Sequence, residues 1–248
     1  MLNFSAQSVT ELLEQLGAID IAVPLRTEGR TTEHCERWSI CRFLATYAAT
    51  NLLSYPLRLE KRERPDFLLQ LPSGDVGIEL TEAVPPGWAW ADARREKLNY
   101  DNLVFLDRFR PGEAQRSKDE IDTIARGDTW GAGWVGDAPE KEWAEVMAYF
   151  SLRKAKVLAK PGYERFGTDW LLIYDNWPLP AVNEPKAAAY FAERLRALEA
   201  PLPFERIFVE CGHAIWQFES PEHTRQPIVD IWKAASGTAQ PQLATSGD

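Results

Sequence analysis

The second half of the chain contains two short, uninterrupted apolar runs, WLLIYD at 170–175 and RIFVEC at 206–211, and these runs constrain the fold most. The first lies between Gly167 and the turn-forming sequence at 176–178, as expected of a strand buried on both faces. Between the two runs, Asn183 is suited to cap a helix over about 184–199. A strand, a helix and a second strand in this order favour parallel strands within one sheet.

The first half of the chain predicts two helices and then three strands. Ser8 and Glu11 have the spacing of a capping box for a helix over 8–16, and apolar spacing predicts a longer helix over 33–53. Strand-like runs follow at 56–63, 65–71 and 76–83, and a four-residue turn at 72–75 would join the last two as a hairpin. With a further helix over about 140–159, the pattern predicts an α/β protein. Its mixed central sheet would contain an antiparallel hairpin and be flanked by helices.

The predicted domain organisation is simple. We expect one domain over residues 1–235 with its core at about 33–212, because no repeat or charge block divides the chain. Residues 88–110 are predicted to be partly helical, and a lid or insertion is expected over about 101–139. A closing helix is predicted at 227–235, followed by a disordered tail at 236–248.

Composition restricts the classes of function. The three cysteines have no regular spacing, which favours a reducing cytoplasm over a disulfide framework. The formal net charge of -9 argues against coating nucleic acid through bulk electrostatics, but it is compatible with a nuclease whose carboxylates hold a cation. A signal peptide and a membrane-spanning run are not indicated, so we expect a protein without membrane attachment.

Two carboxylates of the predicted hairpin lie on one face. If the turn at 72–75 pairs Leu71 with Val76, the alternation of side chains places Asp66 and Glu79 on the same side as diagonal neighbours. At roughly 7 Å or less between their Cβ atoms, the two acids could hold one hard cation such as Mg²⁺.

The helix at 140–159 carries a lysine on its apolar stripe. Lys154 would therefore point toward the core, where an ammonium group needs a partner. The helix is expected to pack on the sheet and to bring this amine beside the two acids, with Lys156 and Lys160 as alternatives. Lys154 could also extend past the core edge to water.

At these residues the chain resembles the PD-(D/E)XK nuclease superfamily, which has the restriction-endonuclease-like fold. The resemblance covers about residues 33–175: Pro65-Asp66 opens one strand and Glu79-Leu80-Thr81 lies on the next. It implies that Asp66, Glu79 and the carbonyl of Leu80 bind Mg²⁺ or Mn²⁺. It also implies cleavage of phosphodiester bonds in nucleic acid, in DNA more than in RNA, and a possible homodimer.

Two further residues take their roles from the same resemblance. The family's usual lysine position is occupied here by Thr81, so the role of orienting the attacking water is assigned to Lys154, as in members whose lysine lies on a neighbouring helix. Glu36 resembles the additional acid that many members carry on the preceding helix.

Other functions remain open. The substitution at Thr81 and the acidic net charge also fit a catalytically inactive member that binds nucleic acid or protein. A metal-independent hydrolase could use the two acids as general acid and base. Trp130 and Trp134 could stack on bases, although packing on the core is the favoured interpretation. The pattern G-x-G-x-x-G at 131–136 follows no apolar strand, and the Cys and His spacing fits no zinc site, so neither supports a function.

Overall fold

The computed structural model describes residues 2–98, 109–126, 133–219 and 222–232. Six helices are described: α1 (Val9–Gly17), α2 (Thr32–Tyr47), α3 (Trp88–Leu98), α4 (Lys118–Ala125), α5 (Ala138–Leu158) and α6 (Glu184–Arg196). The strands are β1 (Asn3–Ala6), β2 (Leu57–Lys61), β3 (Phe67–Leu71), β4 (Gly74–Ala83), β5 (Thr168–Asp175), β6 (Arg206–Cys211), β7 (Ala214–Glu219) and β8 (Glu222–Pro227).

All eight strands form one mixed sheet in which each strand pairs with its neighbours in the sequence. The pairs β4–β5 and β5–β6 are parallel, and the other five pairs are antiparallel. The two parallel pairs require long crossovers, which α5 and α6 provide. The predicted α/β class with a hairpin in a mixed sheet is therefore confirmed.

The sheet separates two apolar cores. Val76, Ile78 and Leu80 of β4 pack with α1 and α2 on one face. Ala83 of the same strand packs with α5 and α6 on the other, together with Leu171 and Ile173 of β5. Because side chains alternate along a strand, Gly77, Glu79 and Thr81 lie on the α5 face. This alternation positions the candidate site.

The register of the hairpin differs from the prediction by two residues. Leu71 pairs with Gly74 rather than with Val76, so the loop consists only of Pro72 and Ser73. Gly74 has a φ of 132°, which a residue with a Cβ rarely adopts, and this glycine allows the strand to begin at once after the short loop. A shift of two residues keeps every side chain on its predicted face.

Several predicted element boundaries are wrong. Helix α2 ends at Tyr47 rather than near residue 53, because both the N–H and the hydroxyl of Thr50 bond to the Tyr47 carbonyl oxygen. The expected lid contains helix α4, whose N-terminus is capped by Ser117 and Glu120. Residues 222–227 form an edge strand, and 228–232 are not helical, so the closing helix is not found in the described part of that segment. The predicted tail lies outside the described residues.

Candidate functional site

The β2–β3 turn and strand β4 bring Asp66 and Glu79 together. Phe67 pairs with Ile78, so continuing the ladder by one residue places Asp66 directly opposite Glu79 on the α5 face. The Asp66 carboxylate accepts a hydrogen bond at Oδ2 from the Leu80 backbone N–H at 2.7 Å. The two acids are therefore cross-strand partners and not the diagonal neighbours that the sequence suggested.

Helix α5 delivers Lys154 to the same point. Its Nζ lies 2.6 Å from Glu79 Oε2 and 3.4 Å from Asp66 Oδ2. The helix is anchored on the sheet by buried apolar residues such as Trp143, Met147 and Phe150, and this packing orients the lysine inward. The structure thus brings together Asp66, Glu79 and Lys154, whereas the alternatives Lys156 and Lys160 are exposed.

Burial dominates the electrostatics of this cluster. The Glu79 side chain is 5% exposed, compared with 17% for Asp66 and 20% for Lys154. Burial raises the pKa of Glu79, the Lys154 ammonium lowers it, and the neighbouring Asp66 carboxylate raises it. Lys154 is therefore the neighbouring group that favours the ionised form of Glu79.

The two acids retain capacity to hold a metal. Within the described part of the chain, no hydrogen bond engages Asp66 Oδ1 or Glu79 Oε1. Two neighbouring carboxylates match the donor set of Mg²⁺, which keeps several waters and needs only one or two carboxylates. Among described residues, no group of three or more His, Cys, Asp and Glu side chains is placed to hold a metal, so the side-chain ligands of a bound ion would be these two acids.

The structure places Glu36 elsewhere. Its carboxylate pairs with Lys61 Nζ at 2.7 Å, and this amine lies over the Phe67 ring at 4.6 Å from its centroid. Phe67 belongs to the core of the α1 and α2 face. Helix α2 covers the face of the sheet on which Ile78 and Leu80 lie. Glu79 points to the other face, so Glu36 is on the opposite side of the sheet from Glu79.

Sequence reasoning missed a third carboxylate beside the acid pair. Asp169 of β5 pairs with Gly77 and is 3% exposed. Its Oδ1 lies 2.7 Å from the position that a Cβ on Gly77 would occupy, so this carboxylate packs directly over the glycine. The available signal was an acidic residue immediately before a continuous apolar run, together with a glycine in the middle of β4.

Of the two tryptophans of the expected lid, Trp134 lies within the described residues and Trp130 does not. Trp134 donates its indole N–H to Glu142 Oε2 at 3.0 Å, which fixes the ring against α5. Trp130 and part of the glycine pattern at 131–136 lie outside the described residues. The contact of Trp134 with α5 fits the favoured interpretation, in which this side chain packs on the protein.

No helix in the described ranges is long and apolar enough to cross a membrane.

Comparisons of this chain with family models, with curated proteins and with solved structures find no match. The geometry around Asp66, Glu79 and Lys154 is therefore the basis for any functional conclusion.

Proposed function

We propose that the protein is a metal-dependent nuclease with a restriction-endonuclease-like core, and that DNA is its main substrate. One observation carries the proposal: an ammonium group from α5 lies within 3.4 Å of two carboxylates, one from the β2–β3 turn and one from β4. Two acids can hold a divalent ion and a lysine can stabilise negative charge beside it, which is a set of groups that phosphodiester hydrolysis can use.

Each residue has a distinct task in this mechanism. A divalent ion held by Asp66 and Glu79 would supply positive charge to phosphoryl oxygens as they become more negative. Lys154 can donate a hydrogen bond to the attacking water and place a second positive charge beside the phosphate. The Leu80 N–H fixes the Asp66 carboxylate, so one of the two acids is already oriented.

Positive charge around the site supports a polyanionic substrate. The β2–β3 turn and the loop between α5 and β5 form a basic lip, which we define as Arg62, Arg64, Lys160 and Arg165. Its two loops meet where Arg62 binds Glu164 at 2.7 Å and stacks over the Phe166 ring. Glu63, Asp66 and Glu164 are the acids of the same loops, so the two loops have a formal charge of +1 in a chain whose total is -9. Local positive charge of this kind attracts a phosphate backbone.

The second candidate is a catalytically inactive binding protein with the same core. It is favoured by the direct contact between Lys154 and Glu79, since an ammonium group can serve as the permanent counter-ion of a buried acid. Thr81, two residues beyond Glu79 on the same face, also supplies no second amine.

Metal binding and cleavage separate the two candidates. We expect the purified protein to bind Mn²⁺ in a calorimetric titration and to nick plasmid DNA in Mg²⁺ or Mn²⁺. Asp66→Asn and Glu79→Gln should abolish both. Glu36→Gln is the matched control, because it removes an equally acidic side chain from the opposite face and should leave both activities within about twofold of wild type.

Different outcomes exclude different candidates. Binding of Mn²⁺ without nicking of DNA or cleavage of RNA would leave only the inactive binding protein. Cleavage that persists in EDTA, or in the Asp66→Asn variant, would contradict the proposed site.

A further inference from the structure

An ion pair between the buried Asp169 and the exposed Arg165 lies beside the acid pair on the α5 face. Asp169 accepts a hydrogen bond at Oδ2 from Arg165 Nε at 2.7 Å, and its own backbone carbonyl binds the N–H of Glu205. Gly77 and Glu79 are two residues apart on β4, or about 6.6 Å at the usual rise of a strand. The Asp169 carboxylate, which lies over Gly77, is therefore close to the candidate metal ligand Glu79.

Asp169 holds Arg165 in a defined position while leaving most of its hydrogen-bonding capacity free. The Arg165 side chain is 45% exposed, although its partner is 3% exposed. Apart from Nε, one Nη2 hydrogen is directed to the carbonyl oxygen of Pro203 at 3.5 Å. Within the described residues, the other three of its five N–H groups are not engaged.

Gly77 makes this arrangement possible. A Cβ at this position would lie 2.7 Å from Asp169 Oδ1, 3.1 Å from Phe166 and 3.2 Å from Pro65. The glycine therefore allows the Asp169 carboxylate, the turn that carries Asp66 and the loop that carries Arg165 to meet at one point of the sheet.

We propose that Arg165, oriented by Asp169, binds a phosphate of the nucleic-acid strand that flanks the scissile phosphate. The inference rests on the proposed nuclease function and adds a subsite to it. A guanidinium suits this task because it is planar, always charged and able to bind two phosphate oxygens at once. Asp169 is a positioning residue: it stays buried, it fixes Nε, and it directs the remaining N–H groups to solvent.

The test measures binding separately from cleavage. A labelled DNA duplex is titrated with the full-length protein in EDTA over a range of salt concentrations, and cleavage is then measured in Mg²⁺. Arg165→Gln should weaken duplex binding about tenfold and reduce the slope of affinity against salt by about 1. It should leave the affinity for Mn²⁺ within about twofold. Arg165→Lys should give an intermediate affinity, because a lysine keeps the charge but not the planar fork.

Arg194→Gln is the matched control. Arg194 is 46% exposed and ion-paired with Glu145, but it lies on α6 and belongs to neither loop of the basic lip. We expect no change in duplex affinity for this variant. If Arg194→Gln weakened duplex binding as much as Arg165→Gln does, the effect would be one of net charge and the subsite would be refuted. A wild-type duplex affinity in Arg165→Gln would also refute it. A wild-type protein that neither binds the duplex nor cleaves it would instead refute the nuclease proposal itself.

Discussion

Lys154→Met is expected to destabilise the metal-free protein and to make its stability depend on metal and on pH. The variant keeps the length and apolar stem of the side chain but removes the ammonium group that lies 2.6 Å from Glu79 Oε2. Removing one partner of a buried ion pair costs about 3–5 kcal/mol. Because Lys154 is 20% exposed and water can reach part of the site, we expect a loss of roughly 2–3 kcal/mol near neutral pH.

The pH dependence has a definite sign. The pKa of Glu79 is already raised by burial and by Asp66, and Lys154 is the group that lowers it. Without the ammonium, the folded protein holds a proton on Glu79 more tightly than the unfolded chain does. The loss of stability should therefore grow as the pH rises above the ordinary carboxyl pKa of 4.5, and it should disappear below about pH 4.

Urea unfolding of wild type and Lys154→Met, with and without Mn²⁺, checks this reasoning. Mn²⁺ should stabilise the variant more than it stabilises wild type, because an added cation replaces the missing charge between the two acids. If the proposed nuclease function holds, DNA cleavage should nevertheless fall at least about a hundredfold, since the ion would not replace the ammonium group to which we assign the orientation of the water. A variant as stable as wild type in EDTA at neutral pH would refute the assignment of Lys154 as the counter-ion of this site.

Two further predictions concern groups around the site and on the other face. Burial raises the pKa of Glu210 to about 7 from 4.5, although the guanidinium of Arg42 lies 3.0 Å away and lowers it. This group should therefore cost the wild type up to roughly 3 kcal/mol of stability as the pH rises from 4.5 to 7. Glu210→Gln should remove that slope in urea titrations, and an unchanged slope would contradict it. Gly77→Ala should destabilise the protein by about 1–3 kcal/mol, because the new methyl group meets Asp169; a neutral effect in the same assay would show that Asp169 moves freely.

Local patterns in the sequence were sufficient for much of the fold. The apolar runs of β5 and β6, the Asn183 cap of α6 and the Ser8 cap of α1 each depend on neighbouring residues, and the structure contains all of them. Strands β1, β7 and β8 were missed, since none of them carries a signal as strong as a buried parallel strand. The residues of strand β8 are exposed or partly exposed, and the strand forms because its backbone pairs with the edge of β7.

The same division applies to the candidate site. Side chains of a strand alternate with a period of two residues, and this alternation was enough to predict that Asp66 and Glu79 share one face. The prediction remained correct although the register was wrong by two residues, because such a shift does not change the face. The apolar stripe of α5 was enough to predict that Lys154 points toward the sheet. The expectation for Glu36 failed because no local pattern states which face of the sheet a helix covers.

The sequence by itself determined most of the helices, the buried strands β3 to β6 and which side chains of the hairpin share a face, because these properties follow from backbone periodicity within a few residues. Only the tertiary structure decided that the Lys154 amine reaches both acids, that Glu36 lies behind the sheet, and that Asp169 joins the cluster over Gly77. These three facts depend on contacts between segments up to about ninety residues apart in the sequence. Such contacts are determined by how helices and strands pack against each other, which requires the whole core.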